Sequence, residues 1–405
     1  MPATLTTAST ILKEVYEPKI QDQLQNEAIA LKRIEKSGEG VETDAVGGKY
    51  VTFPIHVRRN QGIGARNELE ALPTPGQQGY TSARIGLKYL YGAVRLTGQA
   101  MKLGQTKPQA FASILDEEMT GLKDDLKKDQ NRQVYGDGSG AIATARAIYG
   151  PGLVIPVAWA GWAQLGMQVD IINGATLGNP TPTVIASNRQ VTAISMAAGA
   201  NTVTIDGANV SVAVGDIIVR TGNVNREWAG LAAIIKDSGT FQNIDSAVEP
   251  LWKSVVDSNG GTNRPISEGL LLLQHDLVRT NGGQVTVMLT NLGVRRAYFN
   301  LLSQQRRFTN TTEFEGGFKA LAFTTDQGDV PFVVDPDCPP NRVYGLNEKA
   351  ITLYREADWA FMDEDGSRWA RVAGYDAYDA TMFQYSNLGT KRRNTHFIVS
   401  DLTEG

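Results

Sequence analysis

Residues 50–59, YVTFPIHVRR, and residues 82–96, SARIGLKYLYGAVRL, both place an apolar side chain at every second position. The first stretch does so from Val51 to Val57, and the second from Ala83 to Tyr91. This period of two is typical of β-strands, and each strand could extend about 30–40 Å at about 3.4 Å per residue. The connecting segment, residues 60–76, is too long and too irregular for a tight turn. The two stretches therefore predict one long β-hairpin with an elaborate tip.

A hairpin of this length needs a surface to lie on, because an isolated two-stranded hairpin is only marginally stable in water. Pro54 is compatible with an edge strand, since proline has no N–H to donate. The hairpin could fold back on its own domain. The segments on both sides of it, however, have the sequence patterns of an extended arm and of a long helix. We therefore expect the hairpin to be an arm that docks on another surface.

The segment before the hairpin predicts a helical arm. Apolar residues recur at helical spacing over residues 8–36, from Ile11 to Ile34, and Pro18 should break or kink the first part. The loose sequence SGEG at residues 37–40 follows. We expect this amphipathic arm to lie on another surface, such as a neighbouring subunit.

The segment after the hairpin predicts a long helix over residues 107–135. Pro108 fits the first helical position, and acidic residues lie toward the start and basic residues toward the end, as the helix dipole favours. At about 1.5 Å per residue the helix is a rod of ~40 Å. The glycine-rich sequence YGDGSGA, which starts at Tyr135, ends it.

The composition then changes. No Glu occurs between Glu118 and Glu227, and no Lys occurs between Lys128 and Lys236. Short extended runs are separated by turn residues, and an Asp-Gly turn within residues 204–210 predicts a hairpin. These runs are residues 166–172, 190–195, 201–206 and 214–220. They predict a small antiparallel β insertion over residues 159–226.

From residue 227 onward, helical and extended patterns alternate, which predicts a mixed α/β domain. The predicted helices are 245–257, 267–280 and 291–304, the last capped by Asn291, and the predicted strands are 284–289 and 329–334. The closing third is richer in strands. These are predicted at 342–345, 350–354, 360–363, 368–373, 377–385 and 396–400.

The bulk composition excludes several classes of protein. Hydrophobic residues make up 41% of the 405-residue chain and charged residues 20%, as in globular proteins. No apolar run approaches the roughly 18–20 residues that cross a bilayer, and the start lacks a secretory pattern. The net charge of -4 provides no basic excess for gripping nucleic acid. The single cysteine, Cys338, excludes an internal disulfide and fits a reducing compartment.

The arrangement of reactive side chains in the sequence predicts no catalytic site, no cofactor and no metal site. His56, His275 and His396 are far apart, and none has a further ligand at metal-binding spacing. The glycines after Tyr135 follow a helix and lack the lysine of a phosphate-binding loop. The carboxylate-rich stretches 335–341 and 363–366 depart from the calcium-loop order, and Cys338 has no basic neighbour in sequence.

The order of these parts resembles the HK97-type major capsid protein of tailed bacteriophages. The matching stretches are 49–101, 108–135 with its stop at 136–140, the sequence TFQNID at 240–245 with Trp252-Lys253, GQVTVMLTN at 283–291, and 380–402. The resemblance implies an α+β chain with the HK97-like capsid fold. Its parts would be an N-terminal arm (1–48), a long hairpin or E-loop (49–101), the spine helix of the P-domain (102–150), an A-domain (151–335) with the β-rich insertion (159–226), and a P-domain β region (336–405).

The resemblance also implies a function. The chain would be a structural subunit that forms hexamers and pentamers of an icosahedral head, assembled in the host cytoplasm and located in the virion. Its partners would be further copies of itself, a scaffolding protein, a portal and a decoration protein, and the shell would enclose double-stranded DNA without binding it specifically. Because the long charged N-terminal extension of some members is missing, a separate scaffold is expected, with a processed precursor as the other possibility.

Contact residues between subunits are expected on the hairpin. The candidates are Arg58, Arg59, Arg66, Glu68, Glu70 and Lys88. Some family members form covalent crosslinks through an E-loop lysine, but Lys88 lies in the middle of a predicted strand rather than near the tip. The alternatives in function are an encapsulin-like nanocompartment shell, a hydrolase or metal enzyme, and a shell decoration protein.

Overall fold

The computed structural model describes residues 27–37, 41–42, 50–99, 108–197, 199–306, 321–326, 328–363 and 369–405. The predicted hairpin begins with β2 (Tyr50–Arg58) and β3 (Gly79–Gly86), which pair with each other in an antiparallel, two-stranded hairpin sheet. The chain then continues as β4 (Lys88–Thr97), which pairs along its whole length with β23 (Ala377–Thr390). The second alternating stretch is therefore two strands with different partners. The alternation of apolar and polar residues indicates which face of a strand is buried, but it does not indicate which other strand pairs with it.

The inner face of the hairpin sheet packs on its own chain. Val51 and Ile85 are buried against Tyr354, and Ala83 is buried against Ile244 and Trp252. The base of the hairpin thus folds back on its own domain, and the tip, residues 59–78, is largely exposed.

The described end of the predicted N-terminal helix is α1 (Ile29–Lys36), and residues 1–26 lie outside the described part of the chain. Leu31 and Ile34 are buried in the core of the same chain. The Leu31 N–H donates to Asn131 Oδ1 at 3.0 Å, and the Ala30 N–H donates to Asp335 Oδ2 at 2.9 Å. The expectation that this part of the arm lies on a neighbouring subunit is therefore wrong, because its apolar face is already buried intramolecularly.

The long helix is confirmed as α2 (Pro108–Tyr135), 28 residues. Its last turn is buried, and Val134 and Tyr135 join the core that contains Trp228. The chain leaves the helix through Gly138 and Gly140, both at positive φ, which explains why the glycine-rich sequence ends it.

A β subdomain follows the helix directly. Its main sheet has six strands in the order β5-β12-β8-β9-β10-β7, and β6 pairs with β11 beside it. The strands are β5 (Ala141–Thr144), β6 (Tyr149–Gly152), β7 (Val154–Pro156), β8 (Gln168–Ile172), β9 (Val184–Ser195), β10 (Thr202–Ile205), β11 (Val210–Val212) and β12 (Ile217–Arg220). The sheet thus takes strands from residue 141 onward.

The hairpin predicted at the Asp-Gly turn of this subdomain is wrong. The chain does turn there, with Gly207 at φ +83. On its two sides, however, β10 pairs with β7 and β9 while β11 pairs with β6, so the two strands enter different sheets.

The central sheet has six strands in the order β15-β24-β19-β16-β18-β17. They are β15 (Val255–Asp257), β16 (Val287–Thr290), β17 (Leu321–Thr325), β18 (Gly328–Val334), β19 (Val343–Leu346) and β24 (Phe397–Val399). The short α3 (Leu231–Ile234) precedes this sheet in the chain, and α4 (Glu268–Thr280) and α5 (Leu292–Arg306) pack on it. The predicted cap of α5 is present, because Asn291 Oδ1 accepts from Val294 N, and α4 is capped in the same way by Ser267 Oγ, which accepts from Leu270 N.

The helix predicted over 245–257 is absent. A tight hairpin of the short strands β13 (Thr240–Phe241) and β14 (Ile244–Asp245) ends where this helix should begin, and turns and β15 occupy the predicted range. Pro250 lies in the middle of the predicted helix, where it removes a backbone donor and clashes with the preceding turn.

The closing sheet is built around β23, which pairs with β4 and with β20 (Ile351–Arg355). The shorter strands β21 (Ala360–Phe361) and β22 (Ala370–Arg371) also pair with β23, and β1 (Val41–Glu42) lies beside β20 in parallel. One face of this sheet, one face of the central sheet, α1 and the end of α2 share a single core.

Candidate intersubunit contact surfaces

The hairpin tip, residues 59–78, is organised by its own polar groups. Asn60 Nδ2 donates to Gly76 O at 3.0 Å, and Asn60 Oδ1 accepts from Gly62 N at 2.7 Å. A Cβ on Gly62 would lie 2.7 Å from Gly76 N, so the two sides of the tip approach too closely for a side chain there. At the base of the tip, Gln78 Oε1 contacts His56 Nε2 at 2.7 Å.

This ordered tip presents apolar side chains to solvent. Ile63 is 82% exposed, Leu69 101% and Leu72 85%. Leu69 has φ +65, a conformation that is costly for a leucine and turns the local backbone. Burying one such side chain is worth about 1.5–3 kcal/mol. Three of them on a pre-organised loop form a surface suited to apolar contact, and the sequence did not reveal them because the tip has no periodicity.

Two of the four charged residues predicted to contact other subunits on the tip, Arg66 and Glu70, have partners within the chain. Arg66 Nε donates to Ala71 O at 2.8 Å. Asn67 donates to both Glu70 carboxylate oxygens, at 2.9 and 3.0 Å, which lowers the Glu70 pKa. Arg59 and Glu68 are exposed on the same tip.

Arg58 is the last residue of β2 and lies just before the tip. Its Nη2 lies 2.9 Å from Glu249 Oε1, and the Glu249 side chain is only 14% exposed. This ion pair ties the far end of β2 to the loop after β14.

Lys88 is placed away from the other candidates. Its Nζ donates to Asn225 O at 2.8 Å. It lines a cavity of about 1140 Å³ between β4, α2 and the β subdomain, and burial lowers its pKa. Its amine therefore faces its own chain.

A second exposed apolar surface lies on α4. Leu272, Leu273 and Leu277 are 44%, 55% and 44% exposed, whereas Leu271 and Val278 on the opposite face are buried in the central core. A helix that is apolar on every side is usually covered on every side. The run of four leucines at 270–273 was the signal for this surface in the sequence.

The groups with reactive side chains have structural surroundings. The Cys338 thiol is buried, and burial raises its pKa well above the ordinary value, so it stays protonated. His396 is buried, with a pKa lowered by burial to about 3. His275 is buried in α4 and His56 lies on the exposed hairpin. Across the described ranges, no three His, Cys, Asp or Glu side chains are grouped to hold a metal ion, and no helix there is long and apolar enough to cross a membrane.

The chain is similar to capsid proteins in part of its sequence and in its fold. Residues 213–403 match the family model SU10 major capsid protein. No curated protein matches the chain by sequence. Among solved structures, the chain is similar to the Cyanophage A-1(L) capsid asymmetric unit, with a TM-score of 0.59, 15% identity, and coverage of 99% of this chain and 100% of that chain. It is also similar to the capsid of a native GTA particle, with a TM-score of 0.54, 9% identity and 99% coverage of both chains.

At these identities the structural likenesses establish the fold, and they extend over nearly the whole chain. The arrangement of hairpin, spine helix and two sheets is thus the α+β, HK97-like fold of capsid shell subunits. The C-terminal part of the chain also matches a major capsid protein family, which agrees with the resemblance to phage major capsid proteins indicated by the order of its sequence segments.

Proposed function

We propose that this chain is a phage major capsid protein that self-assembles through hexamers and pentamers into an icosahedral head, which encloses double-stranded DNA without binding it specifically. The observation that carries the proposal is the hairpin tip, which is ordered by its own hydrogen bonds yet exposes Ile63, Leu69 and Leu72. A monomer gains nothing from holding apolar side chains in water, whereas a neighbouring subunit that covers them gains their burial.

The two apolar surfaces suit different contacts in such a shell. The tip would overlie a neighbouring subunit, and the α4 surface would pack within a capsomer. A ring of identical subunits requires two different complementary surfaces on each copy. Assembly in the host cytoplasm with a scaffolding protein, a portal and a decoration protein completes the proposal.

The tip contact can be tested with the double variant Leu69→Asp and Leu72→Asp. Losing the burial of two leucines should raise the protein concentration needed for assembly by about 100-fold or more, at about 1.5–3 kcal/mol per side chain. Assembled particles would be measured by sedimentation and negative-stain microscopy over a concentration series. Circular dichroism and thermal unfolding of the unassembled chain should be unchanged, because both side chains are exposed.

The matched control is Ile148→Asp, which changes a side chain with the same 82% exposure as Ile63 but in the β subdomain. Shells that form at the wild-type concentration from the tip variant would refute the contact. Failure of the wild-type chain to form any closed shell, with or without a scaffold, would refute the function.

The charged contacts remain a separate proposal. Reversing Glu68 and Glu70 to lysine should impair assembly without affecting folding, because both are exposed on the tip. Because the Glu70 carboxylate also holds Asn67, the single Glu68→Lys variant is the cleaner test. Normal particles from Glu68→Lys would remove that residue from the contact.

The β subdomain is proposed to be an outward-facing stabilising part of the shell. Its entry and exit are adjacent, since Asn225 N donates to Ser139 O at 2.9 Å. Replacing residues 140–224 with a short glycine linker therefore removes the whole sheet, whereas a cut at 162–224 would leave β5 and β7 without their partners. Particles with unchanged yield and heat resistance would contradict the stabilising role.

An encapsulin-like nanocompartment shell is the second candidate. The family match favours the phage head, since it is to a major capsid protein. A neighbouring terminase or portal gene would support the head, and their absence beside a cargo enzyme gene would support the nanocompartment.

A further inference from the structure

The tight hairpin of β13 and β14 has a strained turn. Its two central residues, Gln242 and Asn243, have φ values of 51° and 67°, which is the arrangement of a type I′ turn. Such turns favour Asn or Gly, and a glutamine at the first central position is unusual. Strain of this kind persists only where surrounding contacts hold it.

Gln242 is held from two sides. Its carbonyl oxygen accepts from the Arg84 N–H of β3 at 2.8 Å. Its side-chain amide lies against the backbone of Thr390 at the end of β23. The amide orientation that satisfies both groups donates to Thr390 O at 2.8 Å and accepts from Thr390 N at 2.9 Å. One residue therefore joins the tight turn to the hairpin sheet and to the closing sheet.

The space around this junction is closed. A Cβ on Gly389 would lie 2.3 Å from Ile85 Cδ1 and 2.7 Å from the end of the Gln242 side-chain amide. Beside it, Ala83 packs on Ile244 and Trp252, and Trp252 Nε1 donates to Phe241 O at 3.1 Å. The tight turn and β3 thus meet over a small, complementary contact.

The hairpin sheet has a few other attachments to the rest of the chain. Within the described ranges its two strands form a ladder only with each other, and the ladder to the closing sheet starts again at Lys88, beyond Gly86 and Leu87. Its other anchors include the packing of Val51 and Ile85 on Tyr354, the ion pair of Arg58 with Glu249, and, at Gly86, the hydrogen bond that Asn387 Nδ2 of β23 donates to Gly86 O at 2.7 Å. The strand break at Gly86 is where the sheet could pivot.

We propose that Gln242 is a positioning residue that sets the angle of the hairpin sheet relative to the closing sheet, and that the turn at 240–245 acts as a latch on the hairpin. Opening the latch lets the hairpin sheet move about Gly86 while β4 stays in the closing sheet. The consequence for assembly rests on the proposed function, because the angle decides where Ile63, Leu69 and Leu72 are presented. The latch itself is a property of the unassembled chain.

The test is hydrogen–deuterium exchange of the unassembled full-length chain, read by mass spectrometry. Gln242→Gly removes the side-chain pairing, relieves the backbone strain and leaves the carbonyl that accepts from Arg84. Gln242→Glu keeps the size of the side chain but cannot donate to Thr390 O when ionised. Both should speed exchange in residues 50–58 and 79–86 about tenfold, since each loses at least one partly buried hydrogen bond. Exchange in residues 88–97 and 377–386 should stay at the wild-type rate.

The matched control is Asn243→Gly, the same change at the exposed neighbouring position of the same turn, which should leave the hairpin protected. Unchanged hairpin exchange in both Gln242 variants would overturn the proposal. So would equal acceleration in the closing sheet, because that result would indicate general destabilisation. If the hairpin loosens as expected but the wild-type chain forms no shell, the latch stands and the proposed function fails.

Discussion

Acid should destabilise this protein through His396. The ring is fully buried, Nδ1 accepts from the Asn347 N–H at 3.2 Å, and Nε2 lies 3.2 Å from Thr390 Oγ1. The Thr390 hydroxyl donates to Ala350 O at 2.9 Å, so Nε2 carries the ring proton and donates to Oγ1. A second proton would have to enter at Nδ1, against an N–H that already points at it.

Burial lowers the pKa of His396 from 6.5 to about 3. Because the folded-state pKa is below the unfolded one, the unfolded chain binds the proton more tightly between these values. The contribution to stability is complete above pH 6.5 and is lost as the pH falls toward 3. At about 1.4 kcal/mol per pH unit, the loss between pH 6.5 and 4.5 is about 2 kcal/mol.

The perturbation is His396→Asn, whose side-chain oxygen can still accept from Asn347 N. The variant should be less stable at every pH, because the ring packing is lost, but its stability should fall by about 2 kcal/mol less than that of the wild type between pH 6.5 and 4.5. Urea unfolding of the unassembled chain, followed by tryptophan fluorescence at pH 6.5, 5.5 and 4.5, measures this difference. Carboxylates titrate in both proteins and cancel in the comparison.

The same substitution at the exposed His56 is the control and should leave the pH dependence at the wild-type value. If His396→Asn loses stability as steeply as the wild type on acidification, the argument from burial is refuted.

Three further predictions concern buried contacts and use urea unfolding of the unassembled chain. Arg393 donates to Ile234 O at 2.8 Å and to Trp252 O at 3.2 Å, so Arg393→Met should cost about 3 kcal/mol by leaving buried carbonyls unpaired, and an unchanged midpoint would contradict this. Arg132 contacts Asp129 at 3.0 Å and Glu227 at 2.7 Å; Arg132→Met should cost about 3–5 kcal/mol, and adding Asp129→Asn and Glu227→Gln should recover part of it. A Cβ on Gly230 would lie 2.3 Å from two backbone oxygens of α2, so Gly230→Ala should cost more than about 2 kcal/mol, whereas Gly269→Ala, in open space on α4, should stabilise by about 0.5–1 kcal/mol. Equal effects of the two glycine changes would show that the steric argument is wrong.

The sequence predicted the elements whose signals are local. The helix over 107–135 was predicted from its proline, its dipole-matched charges and its glycine-rich end. The helices over 267–280 and 291–304 were predicted from their helical pattern, the second also from its cap residue Asn291. These features act within a few residues along the chain, so they are visible without a partner.

The proposed contact surface on the hairpin was predicted only in part from the sequence. The hairpin was located, but the charged candidates Arg58 and Lys88 turned toward their own chain, and the exposed Leu69 and Leu72 were not foreseen. A side chain's role at a surface depends on whether another segment covers it, which no local pattern records.

The amino-acid sequence by itself therefore determined the order of the parts, the long helix, the period-two strands and the weakly acidic charge. Only the tertiary structure decided the partners. It split residues 82–96 between two sheets, buried α1 against Asn131 and Asp335, and replaced the helix predicted over 245–257 with turns and β15. The physical reason is that alternation and helical periodicity specify which face of an element is buried. They do not specify which distant segment covers that face, because several segments with similar patterns could do so.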